Sequence, residues 1–492
     1  MTFTRRQAIL GAAIAQLGAA AALAPTAQAA PKPVKAKDAK PSPVSSDPDV
    51  IILGAGISGL GAASLLEEQG AKVLILEARK RVGGRIFTLL DQPGTPEMGF
   101  NSMGAGYGRG MDMARRAGVE LHDVAPRYMK DPRQQFVLGG VTLTREEWAA
   151  SPKNPFPAAL KSMMPWEIVP VLVSKNNRLK DWADWIAPES APLDISMHQY
   201  LSQLGLSDAA IRLAFDKAPY YGLNGHQSSA LVYEFNDGWG KAQSAAGPGS
   251  FAVKGGNLLL PQGLAAKQKG DILLGKEVVA ISSGPDAAVV TCRDGSTYRA
   301  KKVICSLPFS VLRNISFEPG FTGPQAKAVT SLPYQPISIA FLTVSAPYWE
   351  KDGLPPTMWT DGPLGQVLAQ RYGPTPDEVT GLSVFARGEL ALAWDRLGKE
   401  NTLAMIVSEL ERLRPAAKGL VKGAYYHSWG LEPFNGGDWS YFNPGQITAF
   451  AREMSTPVGR VHFCGEHTGT SNRGLESALE SAERVALEIL SA

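Results

Sequence analysis

Apolar positions along the chain fall into two rhythms. Asp49-Val50-Ile51-Ile52-Leu53 is a short, nearly unbroken apolar run, as a buried parallel strand requires. It runs into Gly54-Ala55-Gly56-Ile57-Ser58-Gly59, after which helical spacing carries on to Gln69 and Gly70 stops it. A second apolar run, Val73-Leu74-Ile75-Leu76, ends on Glu77. The pattern predicts a β-α-β unit at the start of the folded body. Strands are also expected at 276–281 and 303–307, in a hairpin of 290–292 with 297–300, and at 460–464. Near the end, Leu475, Ala478, Leu479, Ala482, Val485, Ala486 and Ile489 recur at helical spacing, with Glu476, Glu480, Glu483 and Glu488 on the other face.

Chemistry attaches to the first of these units. Gly54, Gly56 and Gly59 form a G-x-G-x-x-G turn between strand and helix, which brings a helix N-terminus up to a pyrophosphate. Ser58 sits in the same turn. Glu77 follows Gly59 by 18 residues, where an acid can take the ribose hydroxyls and disfavours a 2′-phosphate. Strand before, helix after and acid in place point to a dinucleotide other than NADP.

Composition adjusts this picture at the edges. The chain has 492 residues, 44% hydrophobic and 19% charged, a balance that excludes collagen, coiled coil and disordered classes. The 51 glycines and 36 prolines exceed average usage, which suggests backbone brought close to a ligand. The net charge of +3 resides in residues 1–48, which hold six basic residues and two acids, so the remainder is close to neutral and shows no footprint for nucleic acid. Arg5-Arg6 precedes a soft Ala/Gly-rich stretch and Ala27-Gln28-Ala29, so residues 1–29 resemble a twin-arginine signal peptide and imply a periplasmic protein. Residues 30–48 are expected to be a disordered linker. No interior apolar run spans a bilayer. Cys292, Cys305 and Cys464 are expected to be buried thiols, and no Cys/His cluster has metal-ligand spacing.

Downstream of Glu77, the run Glu77-Ala78-Arg79-Lys80-Arg81-Val82-Gly83-Gly84-Arg85 resembles the E-x-x-x-R-x-G-G-R signature of the flavin monoamine oxidase family. Further segments are similar to that family: Gly255-Gly256-Asn257 through Leu264, the strand around Val278, and Arg460 through Gly465-Glu466. The resemblance implies FAD, with Arg79, Gly83, Gly84, Arg85, Val278, Gly465, Glu466 and Leu475 among its contacts. It also implies an α/β fold: a Rossmann-like FAD-binding domain from 49–110, 250–335 and 433–492, with an inserted α+β substrate domain from 111–249 and 336–432. No cysteine lies near Trp439 in the sequence, where covalently flavinylated relatives carry one, so the FAD is expected to be non-covalent.

The same resemblance implies a substrate held between two aromatic walls. Trp439 is expected to be one, with Tyr441 as the other choice, and Trp429 falls on a structural Trp of the family. The second wall falls on Gly474, leaving half of the cage missing unless Asn472 or Arg473 replaces it. Arg473 could instead grip a carboxylate. A lysine usual in the family falls on Ile339, beside Ser338. Its absence suggests slow reaction with O₂ and a periplasmic electron carrier as acceptor. The implied chemistry is hydride transfer from the carbon beside a neutral amine, with hydrolysis of the imine, on an amine with an apolar or aromatic body. Oxidation of a C–C or C–O bond on the same fold, and a binding protein that merely carries FAD, are the alternatives.

Overall fold

The computed structural model describes residues 48–129 and 132–491. The signal peptide expected at 1–29 and nearly all of the linker expected at 30–48 lie outside the described residues. β1 (Val50–Leu53) and β2 (Val73–Glu77) pair in parallel, with α1 (Ile57–Glu68) between them. They belong to a five-stranded parallel sheet whose order is 461–463, 302–305, β1, β2 and 272–274. Strands from the two ends and the middle of the chain thus lie side by side, a doubly wound arrangement built from discontinuous segments.

All four residues of β1 are buried, because helices cover one face of the sheet and the antiparallel strands between 278 and 300 pack on the other. α1 packs on the C-terminal helix (Gly474–Leu490) through small residues. A Cβ added at Gly61 would meet Leu479 Cδ2 at 2.9 Å, so a side chain there would force the Leu479 side chain to shift. The C-terminal helix buries Leu475, Ala478, Leu479, Ala482, Val485 and Ala486, the face its spacing predicts. The hairpin is present as Ala288–Cys292 with Thr297–Ala300, in a four-stranded sheet with Val278–Ser283.

A seven-stranded sheet is drawn from residues 135–143 and 337–428. At its centre Ile337–Val344 lies antiparallel to Gly381–Arg387. A helical layer from 165–245 packs on this sheet around Phe136, Trp148, Ile168 and Phe215. The expected domain boundary at residue 110 needs correction, since it cuts the helix Gly108–Ala117. Met113, Ala114 and Ala117 of that helix bury in the same core as α1 and the C-terminal helix.

The three cysteines are buried and free. Among the described residues no helix is long and apolar enough to cross a membrane.

Candidate active site

At two positions of the glycine turn only glycine fits. Gly54 has φ +99°, and a Cβ at Gly59 would lie 2.1 Å from the Gly54 carbonyl oxygen. The Gly83 N–H donates to the Ala55 carbonyl at 2.8 Å, which ties the second glycine pair to the first turn. The Glu77 carboxylate, 3% exposed, accepts from the Ala55 N–H and the Arg79 N–H, each at 2.8 Å. An acid therefore stands at the end of β2, fixed by the loop it faces.

Around this turn the chain's two ends meet. The Arg79 guanidinium donates to Asn435 Oδ1, pairs with Glu432 at 3.1 Å and packs on Phe434, while its buried Nε has no partner. Arg85 donates to the Asp438 carbonyl and pairs with Glu466 at 3.2 Å. Glu466 also accepts from the Ser440 N–H. Ser58 Oγ lies 3.3 Å from Ser481 Oγ, which accepts from the Gly465 N–H.

One cavity of about 1660 Å³ runs from this turn into the substrate side. Twelve of the thirteen residues expected to hold the cofactor line it, Gly54, Gly56 and Ser58 among them; the exception is Gly59, which packs behind the turn against the Gly54 carbonyl. Glu77, Arg79, Gly83, Gly84, Arg85, Val278, Gly465, Glu466 and Leu475 complete that wall. The glycine cradle, the acid at the ribose position and the orphaned Arg79 Nε suit a dinucleotide, and the residues present fit FAD.

On the substrate side Trp439 lines the cavity, as expected, and so does Gly474, whose φ is +57° and where an added Cβ would meet nothing within 4 Å. Tyr441, 5% exposed, belongs to the core and is no wall. Asn472 is occupied with the Trp239 indole and Glu480. Arg473 does not line the cavity: it lies over the Tyr221 ring and donates to the Ser440 carbonyl, so the carboxylate grip expected of it has no support here. Trp429 is fully buried and donates to the Met98 carbonyl, a structural role.

Three side chains escaped the sequence reading. Tyr220 projects into the cavity and stacks on Trp439, ring centroids 4.7 Å apart. Asp438 lines the cavity, and burial pushes its carboxyl up to about 7 against the opposing pull of Arg85. Arg387, at the end of Gly381–Arg387, is also in the wall, and burial pulls its guanidinium below the ordinary value. Asp438 had a local signal in its place just before Trp439. Tyr220 and Arg387 had none. Ser338, at the position beside the missing lysine, is buried and donates to Asp395 at 2.9 Å. The cavity's single lysine among the described residues, Lys276, is tied to Asp294 at 2.7 Å.

Residues 57–490 match the family of flavin-containing amine oxidoreductases. The chain belongs to that family. It is an enzyme that uses a flavin, FAD, to oxidise amines. It is 26% identical to amine oxidase [flavin-containing] B of Cavia porcellus over 481 residues, covering 91% of this chain and 87% of the relative. It is 24% identical to an L-amino-acid oxidase of Siganus canaliculatus over 461 residues, covering 91% and 86%. In fold it is similar to the cyclohexylamine oxidase of Brevibacterium oxydans, with a TM-score of 0.72, 21% identity and coverage of 91% and 99%. It is likewise similar to putrescine oxidase bound to putrescine, with a TM-score of 0.70, 22% identity and coverage of 91% and 100%.

Proposed function

We propose that this flavoenzyme oxidises the C–N bond of an amine with an apolar or aromatic body, using non-covalent FAD, and releases an imine that water hydrolyses to a carbonyl compound and ammonia or an amine. The observation that carries this reading is the continuity of one cavity from the glycine cradle to the Tyr220–Trp439 stack. Bound in the cradle, FAD supplies a two-electron acceptor that takes hydride from the carbon beside the nitrogen.

The chain's own residues then have separable tasks. Gly54, Gly56 and Ser58 present the N-terminus of α1 to the pyrophosphate, and Glu77 meets the ribose. Tyr220 and Trp439 give the substrate an apolar wall and exclude water, which favours the uncharged amine. Asp438, with a carboxyl near neutrality, holds the incoming ammonium and takes its proton, leaving the nitrogen lone pair free. No cysteine lies near Trp439 in the sequence, and non-covalent attachment predicts that acid precipitation releases all of the yellow colour.

Anaerobic mixing with a panel of amines tests the reaction: bleaching of the flavin band by amines supports it. The open space at Gly474 favours one second reading, a bulkier substrate oxidised at C–C or C–O. Bleaching by non-amines alone would select that reading.

For the acceptor, the absence of a free cavity lysine among the described residues supports a periplasmic electron carrier over O₂. Fast stopped-flow reoxidation in air would reverse this choice. Export through the twin-arginine route rests on Arg5-Arg6 and suits an enzyme that must gather FAD before crossing a membrane. Replacing both arginines by lysine should leave the protein in the cytoplasmic fraction.

A further inference from the structure

Arg387 closes the strand Gly381–Arg387 and forms part of the cavity wall. Its guanidinium carbon lies 5.5 Å from the centroid of Tyr220, the ring that stacks on Trp439. Its Nε is buried without a hydrogen-bond partner, and no ion pair joins the side chain to any other described residue. Asp438 acts on it through space but stays out of contact. A half-buried guanidinium whose enclosed Nε lacks a partner, with no counter-ion beside it, is unfavourable, so a site that keeps one is built around a missing partner.

The other guanidinium groups of this cavity are spoken for. Arg79 and Arg85 are held at the cofactor end by Glu432 and Glu466. Arg145 pairs with Glu167, and Arg293 with Glu277, each at 2.7 Å. One unpaired guanidinium suits a singly charged, planar anion better than a phosphate dianion, because its fork of N–H donors matches a carboxylate. An aromatic face beneath the guanidinium holds it in place for that contact.

We infer that Arg387 anchors a carboxylate carried by the substrate, so that the amine oxidised in this cavity is an amino acid. The inference rests on the amine reading above. It adds a second recognition point: the carboxylate meets Arg387, and the ammonium meets Asp438. A zwitterion answers both charges, whereas a simple amine leaves Arg387 unpaired.

Binding is read first, independently of turnover. The holoenzyme is titrated with phenylpropanoate and with phenylpropanamide, following the visible flavin spectrum. Phenylpropanoate should perturb the spectrum of the native enzyme and bind at least about 30-fold more weakly to Arg387→Met, as expected when one partner of a buried charge pair is removed. Arg387→Lys should recover part of that loss, and the amide should bind all three proteins alike. Equal affinity of phenylpropanoate for native enzyme and Arg387→Met overturns the inference.

Turnover is read second, in anaerobic reduction by phenylalanine and by phenylethylamine. Native enzyme should prefer phenylalanine, and Arg387→Met should lose that preference mainly through KM. A native preference for phenylethylamine overturns the inference. If neither compound reduces the flavin while phenylpropanoate binding still depends on Arg387, the carboxylate site stands and the amine reading falls.

Discussion

Tyr220 lies flat against Trp439, their planes inclined by 21°, and the Trp439 indole N–H donates to the Tyr220 carbonyl oxygen at 3.1 Å. The tyrosine thus fixes the face that the indole offers to the cavity. Ring stacking of this kind contributes about 0.5–1.5 kcal/mol beyond area burial. Tyr220→Ala should lower kcat/KM for aromatic amines by about 3- to 10-fold, the factor that such a loss represents. Tyr220→Phe keeps the stack and should stay near the native value. Steady-state kinetics of the two variants on one amine decide the matter.

Glu77 holds the glycine turn through two backbone N–H groups. Hydrogen bonds to a charged group contribute about 1.5–3 kcal/mol each. Glu77→Ala should weaken FAD binding by at least about 10-fold, the effect of losing one such bond. Dilution of the holoenzyme, with release followed by flavin fluorescence, measures it.

Asp438 sets a pH dependence. Burial raises its carboxyl to about 7, so it loses its charge as pH falls through that value. An ionised Asp438 attracts the ammonium form of the substrate, and KM should rise as pH drops below about 7. In Asp438→Asn the inflection should vanish, leaving KM high and flat across that range. A KM profile from pH 5 to 9, about two units on either side, compares the two proteins.

Glu97 governs stability in the opposite sense. It is fully enclosed, accepting from the Asn257 N–H and the Thr88 hydroxyl, and burial pushes it up to about 8 from an ordinary 4.5. Between those values the folded state binds a proton that the unfolded state has released. Stability contributed by this group therefore falls as pH rises from 4.5 to about 8, by at most about 1.4 kcal/mol per pH unit. Glu97→Gln should flatten that slope, which Tm measured against pH reads directly.

The cofactor cradle was legible in the sequence because its demands are local. Gly54 needs a positive φ and Gly59 needs a bare Cα, and both needs fall within one turn. Glu77 follows at a distance set by one helix and one strand. The substrate side obeys no such local rule. Tyr220 and Trp439 come from segments far apart in sequence: Trp439 was legible only through the family resemblance, and Tyr220 alone reads as a core aromatic. Arg387 looks like the polar end of a buried strand until the cavity beside it is seen. Arg473 shows the reverse error. It is next to Gly474 in sequence, yet its side chain runs to Tyr221 and Ser440 while Gly474 faces the cavity. Adjacency along the backbone does not set the side on which a side chain emerges.

The meeting of the first strand with the last helix also sets an order of events during synthesis. The glycine turn near residue 54 is among the first folded parts to leave the ribosome. Gly465, Glu466 and Leu475, which face the same cavity, are among the last. Before residues 465–475 emerge, a nascent chain holds only part of the cradle. Loading with FAD therefore waits for them, and holding the yellow cofactor certifies that translation has run through that segment.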